Sequence, residues 1–186
     1  MLATIIYILA LMTEIGFLIF FSVFVVFLIY SSLKGSPFVP TNSKEIDDIL
    51  KGASLKHNQN FYELGCGEGR VTIRAVTKYQ VKGYGIDVNP ILIRWANFKV
   101  FLKKMDNVEF CRKNIFDVSL EKADVIYLFL MPALISKLVP KFKKELRKKT
   151  LIISHGFKVK GFGPYLVKFL DRRPFPTYYY IFRPKI

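Results

Sequence analysis

The sequence predicts an α/β fold: a mainly parallel sheet with a final antiparallel strand pair, preceded by an N-terminal transmembrane helix. Three observations predict it. A run free of Asp, Glu, Lys, Arg and His extends from Ile15 to Leu33. After it, short apolar runs rich in β-branched and aromatic residues alternate with segments of helical period, the order that builds parallel sheets. Near the end, Tyr165 to Leu170 and Tyr178 to Phe182 flank Arg172-Arg173-Pro174-Phe175-Pro176, a break that folds one strand back on another. The chain accordingly divides into a membrane anchor at 1–35 and a soluble domain at 36–186.

The anchor is argued from length. At ~1.5 Å per helical residue, IGFLIFFSVFVVFLIYSSL reaches about 28 Å, close to the roughly 30 Å of a bilayer's hydrocarbon core. MLATIIYILALMT upstream is also apolar, and Glu14 interrupts the two pieces. A carboxylate at the bilayer centre costs roughly 2.5–3.5 kcal/mol, which places Glu14 near a boundary or in a locally wet site; a functional intramembrane acid is the other reading. A cleaved signal peptide needs a basic start and a shorter apolar stretch, whereas the first Lys here is Lys34. Cations stay on the cytoplasmic side, so the domain after the span should face the cytoplasm.

The domain's elements follow in order. Ser43 to Leu50 predicts a short helix, Phe61 to Leu64 a strand, Arg70 to Lys78 a helix and Val81 to Asp87 a strand. Ile91 to Lys103 predicts a helix, with Trp95, Phe98 and Leu102 at helical spacing. Val108 to Cys111, the continuous apolar run Val125 to Leu130, and Leu151 to Ser154 predict buried strands, with a helix from Ala133 to Leu146 between the last two. The connections from Cys111 to Val125 and from Phe157 to Tyr165 leave little room for helices.

Composition bounds the function. The chain is 52% hydrophobic and 16% aromatic over 186 residues, which excludes a disordered polar chain. Lys and Arg number 29 against 14 Asp and Glu, a net charge of +15 that residues 1–35, with Glu14 and Lys34, do not contribute to. Such a domain is drawn to anionic lipid or phosphate-rich partners. Cys66 and Cys111 have neither metal-ligand spacing nor the number for a disulfide framework, so no metal site is expected and a reducing compartment fits.

The most informative stretch is Glu63-Leu64-Gly65-Cys66-Gly67-Glu68-Gly69, where the first strand should end and a helix begin. Glycines there let the backbone turn sharply and approach a ligand that a Cβ would exclude. The spacing is not the G-x-G-x-x-G of dinucleotide sites, and Glu63 and Glu68 would repel a phosphate but suit an ammonium and a sulfonium. That chemistry is S-adenosyl-L-methionine. An ordinary tight turn is the other reading of the loop. Asp87 stands at the end of the next strand, 18 residues beyond Gly69, where a carboxylate accepts both ribose hydroxyls. It also suits a helix cap ahead of Pro90.

ELGCGEG and GIDVNP resemble the first and second motifs of the class I, seven-β-strand methyltransferases, whose sheet is Rossmann-like. The resemblance covers Phe61 to the C-terminus. It implies that Glu63, Gly65, Cys66, Gly67 and Gly69 line the methionine end of the donor and Asp87 its ribose. Where that class often has an acid beside the adenine, this chain has Asn114 followed by Ile115, and an amide oxygen can accept the same bond. A single span, then Pro37-Phe38-Val39-Pro40-Thr41, then ELGCGEGR, NIFDVSL and YLFLMP is similar to the small membrane-anchored protein-lysine methyltransferases of the ATP synthase c-subunit and adenine nucleotide translocase type. That resemblance makes Phe38, Pro40 and Thr41 candidates near the donor and target entry; a rigid proline stalk is the alternative.

Methyl transfer requires a neutral nucleophile in line with the sulfonium more than a protein nucleophile. Leu130, Met131 and Pro132 offer an apolar channel for a lysine stem, although part of that run must be buried strand. The absence of an Asn-Pro-Pro-aromatic motif there counts against nucleic-acid N-methylation. Lys141, Lys143, Lys144, Arg147, Lys148 and Lys149 read as a solvated helix end, an anionic-lipid surface or a nucleic-acid footprint, in that order. His57 and His155 are read as structural or solvated. The expectation is therefore a membrane-anchored methyltransferase acting on lysine in a membrane protein, on a prokaryotic plasma membrane or, as the resemblance allows, a mitochondrial one. A lipid or quinone-like substrate and a non-catalytic donor-binding module are the alternatives.

Overall fold

The computed structural model describes residues 2–33 and 41–183, and the chain forms two compact units, Met1–Phe38 and Val39–Ile186. The first unit is one helix, α1 (Leu2–Leu33). It passes through Glu14 without a break, where the sequence reading has two pieces. A glutamate is a good helix former, so its charge marks a change of environment and not of backbone. Among the described residues, the stretch apolar and long enough to cross a membrane is Leu2–Val23, with none of it buried, so Glu14 lies inside that window and not at its border.

The second unit has seven strands where seven are predicted, in the order β3-β2-β1-β4-β5-β7-β6. They are β1 (Asn60–Leu64), β2 (Lys82–Asp87), β3 (Val108–Arg112), β4 (Val125–Leu128), β5 (Leu151–His155), β6 (Leu166–Leu170) and β7 (Thr177–Ile181). The first five are mutually parallel, while β7 runs antiparallel to β5 and to β6. The helices are α2 (Ser43–Ala53), α3 (Arg70–Tyr79), α4 (Pro90–Lys103) and α5 (Pro132–Glu145). Strand β4 stops two residues short of the predicted Leu130 because Pro132 takes the first position of α5, where its missing N–H costs nothing. Among the described residues, no helix lies between β3 and β4, and only the 3-10 turn Gly163–Tyr165 precedes β6.

Alternation along the strands sorts the core into two layers. Ile126, Leu128 and Ile152 face Ile135, Leu138 and Phe142 of α5. Val125, Tyr127 and Ile153 face the other way, onto Ile46, Ile49 and Leu50 of α2 and Val71 and Ala75 of α3. Helix α4 departs from the usual single apolar face. Its buried face is Ile93 and Ala96, whereas Ile91, Trp95, Phe98, Phe101 and Leu102 are exposed. The spacing of Trp95, Phe98 and Leu102 thus marks a helix, as predicted, and a second apolar stripe turned to the outside.

Candidate active site

The glycine loop joins β1 to α3, and Gly65, Gly67 and Gly69 have φ of 78°, 53° and 74°. A side chain at Gly65 would meet Leu130, and one at Gly69 would lie 2.2 Å from the Phe110 ring, so both the backbone and the neighbours demand glycine. The loop is pinned by its own N–H groups. Gly65 and Cys66 both donate to the Ile86 carbonyl, at 2.8 and 3.0 Å, and Gly67 N–H donates to Asp87 Oδ2 at 2.8 Å. Asn89 N–H donates to Asp87 Oδ1 at 2.8 Å. Each Asp87 oxygen so retains an accepting lone pair. The helix cap is Asn89, whose Oδ1 accepts from Ile91 and Leu92, which leaves Asp87 free of that alternative role. Asn89 Nδ2 is buried with no hydrogen-bond partner among the described residues.

The acids around the loop divide in two. Glu68 is engaged by Lys99 at 3.0 Å and by Arg70, so it is not the free charge that the spacing implies. Glu63 is buried, its Oε2 accepting from the backbone N–H of Thr72 at 2.8 Å and from the Thr72 hydroxyl. Burial pushes its pKa up to about 8 against those bonds, so it holds a proton that a nearby cation would displace. Cys66 is buried and burial raises its thiol well above the ordinary range, which makes it a packing residue. Beyond β3, Asn114 is exposed and its Oδ1 accepts from Phe116 N–H at 3.2 Å, while Ile115 is buried.

The other predicted residues scatter. Leu130 is buried against Gly65, but Met131 is exposed and Pro132 begins α5 on the surface, so the three do not form one channel. A turn from strand to helix rotates successive side chains apart. Phe38 and Pro40 lie outside the described residues. Thr41 is half-buried; its carbonyl accepts from Arg70 at 3.4 Å and its side chain faces the Tyr127 phenol, lowering a pKa that burial raises far more.

Sequence reading missed a second cluster. His155, fully buried at the end of β5, places Nδ1 2.9 Å from Thr177 Oγ1 and Nε2 3.6 Å from Glu45 Oε1 in the first turn of α2. Burial, and behind it the Arg172 charge, lowers its pKa to about 4, so the ring is neutral and the Glu45 contact is not an ion pair. Tyr127 stacks on the ring at 6.5 Å and Phe129 meets it edge-on at 4.5 Å. Nothing in the spacing joins residues 45, 127 and 155; only strand register and the seating of α2 do so.

Residues 63–165, over half of the chain, match the family described as the ANTKMT methyltransferase domain. The chain belongs to this family. It is the group that the order of the anchor, PFVPT and ELGCGEGR resembles, and membership makes the chain a methyltransferase. The family match spans the glycine loop, Asp87, Leu130 and His155. A protein-lysine N-methyltransferase of Saccharolobus islandicus (strain REY15A) is 32% identical over 130 residues, 69% of this chain and 81% of that protein. A ribosomal protein L11 methyltransferase of Clostridium botulinum (strain Eklund 17B / Type B) is 29% identical over 102 residues, and the chain spans only 33% of its length. Among solved structures, an RNA methyltransferase from Salinibacter ruber in complex with S-adenosyl-L-homocysteine superposes with a TM-score of 0.75 at 28% identity, covering 80% of this chain and 96% of that one.

Proposed function

We propose that this chain, an S-adenosyl-L-methionine-dependent methyltransferase, methylates the ε-amine of a lysine in a membrane protein. The observation that carries the lysine reading is the likeness to a protein-lysine N-methyltransferase along 81% of that protein. Among the described residues no helix precedes β4 and only a 3-10 turn precedes β6, which agrees with it, since a less enclosed site suits a substrate that brings its own cover.

The donor fits the residues present. Glu63, protonated by burial, suits the amino-acid ammonium, which would draw off its proton and leave a buried ion pair. Gly65, Cys66, Gly67 and Gly69 let the backbone approach the methionine chain. Asp87, with lone pairs to spare, and Asn89 Nδ2, without a partner among the described residues, suit ribose hydroxyls, and Asn114 and Ile115 would flank the adenine. Bound there, the donor supplies a methyl on a sulfonium, open to in-line attack by a neutral amine. The protein's part is to orient and desolvate the two partners.

The membrane half rests on α1 and α4. Helix α1 is long and apolar enough to span. Helix α4, PILIRWANFKVFLK, carries Arg94, Lys99 and Lys103 and no acid, and turns Ile91, Trp95, Phe98, Phe101 and Leu102 outward. An apolar stripe flanked by cations complements an anionic bilayer surface, with the stripe among the acyl chains and the cations at the headgroups.

The test is transfer of labelled methyl from S-adenosyl-L-methionine into membranes from cells lacking this protein, with Asp87→Ala as control. Acid-stable methyl-lysine in a protein band is the expected product. Label in RNA, the substrate class named for the Salinibacter ruber neighbour, or in lipid would overturn the lysine reading.

A further inference from the structure

Glu45 Oε1, Tyr127 Oη and His155 Nε2 are all buried and have no hydrogen-bond partner within 3.5 Å among the described residues, with the Thr41 side chain beside the Tyr127 phenol. Unpaired buried polar atoms are uncommon in folded proteins, and three meeting in one place need an explanation. They come from α2, β4 and β5, on the sheet face that α2 covers.

Their surroundings define what would pair them. His155 Nδ1 pairs with Thr177 Oγ1, and in the tautomer with its proton on Nε2 the ring turns that proton toward Glu45 Oε1, 3.6 Å away. The Glu45 carboxylate and the Tyr127 hydroxyl are both acceptors, and two acceptors call for a donor with more than one N–H. A phosphate or carboxylate would be repelled by Glu45, and an alkyl group would leave all three atoms unpaired. A primary amine meets both acceptors and keeps its lone pair. Phe129 and Phe175, half-buried and 5.0 Å apart ring to ring, provide the apolar walls that an amine on an alkyl stem requires. Tyr127 is also the register partner of Glu63 on β1, so the cluster stands one strand from the glycine loop.

We propose that Glu45, Tyr127 and His155 receive the ε-amine of the target lysine, with Phe129 and Phe175 along its stem. This rests on the protein-lysine reading and supplies its substrate subsite. The amine donates its two N–H bonds to Glu45 Oε1 and Tyr127 Oη, which turns its lone pair outward, while the His155 ring holds Glu45 in place. That pair forms the new N–CH3 bond while the C–S bond breaks and its electrons remain on sulfur. The methylated nitrogen then releases one proton to solvent by way of Glu45, whose side chain reaches the surface at 16% exposure.

The experiment uses the full chain in detergent, with solubilised membranes from cells lacking it as methyl acceptor. Tyr127→Phe and Glu45→Gln are each assayed for donor affinity, thermal midpoint and methyl-lysine formation. A role in substrate binding gives unchanged donor affinity, an unchanged or higher midpoint, and transfer reduced about tenfold or more, the scale of one lost hydrogen bond to a reacting group. Wild-type transfer in both variants overturns the subsite, as does loss of donor binding or of the folded state in both, which would make the cluster part of the donor site or of the core. If the wild type itself forms no methyl-lysine, the lysine reading fails and takes the subsite with it; methyl-lysine from the wild type with unaffected variants refutes the subsite alone.

Discussion

At the carboxyl ends of β1 and β2, the glycine loop is held by bonds that form within about 25 residues of chain: two N–H groups on Ile86 and one on Asp87. At the ends of β4 and β5, Glu45 Oε1, Tyr127 Oη and His155 Nε2 converge from far apart in sequence and lack hydrogen-bond partners among the described residues. The first region is organised before any ligand arrives, and on our proposal the second is completed by one. On the same proposal the donor meets a rigid local motif, whereas the acceptor meets a pocket assembled by tertiary packing.

The largest effect expected comes from Asp87→Ala. It leaves Gly67 and Asn89 N–H groups without acceptors and removes the ribose contacts, so donor affinity measured by calorimetry should fall at least about 100-fold. Retained affinity would mean that the donor does not use the β2 end. Gly69→Ala comes next, since a Cβ there meets Phe110 and the backbone has φ of 74°. Strain and overpacking together should lower stability by about 2–4 kcal/mol in denaturant titration, and a smaller loss would show that the loop can relax.

The pH dependence of stability separates the two regions by sign. Glu63 keeps its proton in the folded state up to about 8, against 4.5 in the ordinary carboxylate, so its contribution is fully present below about 4.5 and is lost as pH rises toward 8. His155 behaves oppositely: with a folded pKa of about 4 against 6.5, its contribution is present above 6.5 and is lost as pH falls toward 4. Glu45 and Arg172 are the charges beside that ring, and Arg172 adds to the depression. Denaturation across pH should show Glu63→Gln removing the decline that runs from about pH 4.5 up to about 8, and His155→Gln removing part of the decline that runs from 6.5 down to about 4. The same slope in both variants would erase the distinction.

The smallest effect concerns α4. Trp95 is the sequence's one tryptophan, so its emission reports on that face directly. In the full chain reconstituted into vesicles, emission should shift to the blue when anionic lipid replaces part of the neutral lipid, and Arg94→Glu with Lys103→Glu should diminish the shift. Equal emission in both vesicle types would remove α4 from the bilayer.

What the sequence made legible follows from range. Seven strands were readable because each is an apolar run bounded by turn or helix signals, and Gly65, Gly67, Gly69 and Asp87 because their relation is one of spacing. The pairing of Glu68 with Lys99 was hidden, since it depends on α4 packing beside the glycine loop. Trp95, Phe98 and Leu102 revealed a helix but not which side faces the core, because periodicity carries no direction. The apolar run Leu130-Met131-Pro132 did not show that the turn into α5 leaves Met131 and Pro132 exposed while Leu130 is buried. Glu45 and His155, 110 residues apart, were beyond reach until β5 and α2 placed them 3.6 Å from each other.

The most direct test of a site in two parts measures donor affinity and methyl-lysine formation side by side for Asp87→Ala and Tyr127→Phe. Loss of donor affinity in the first, with retained affinity and lost transfer in the second, is the expected result. Loss of donor affinity in both, or wild-type transfer by Tyr127→Phe, would contradict it.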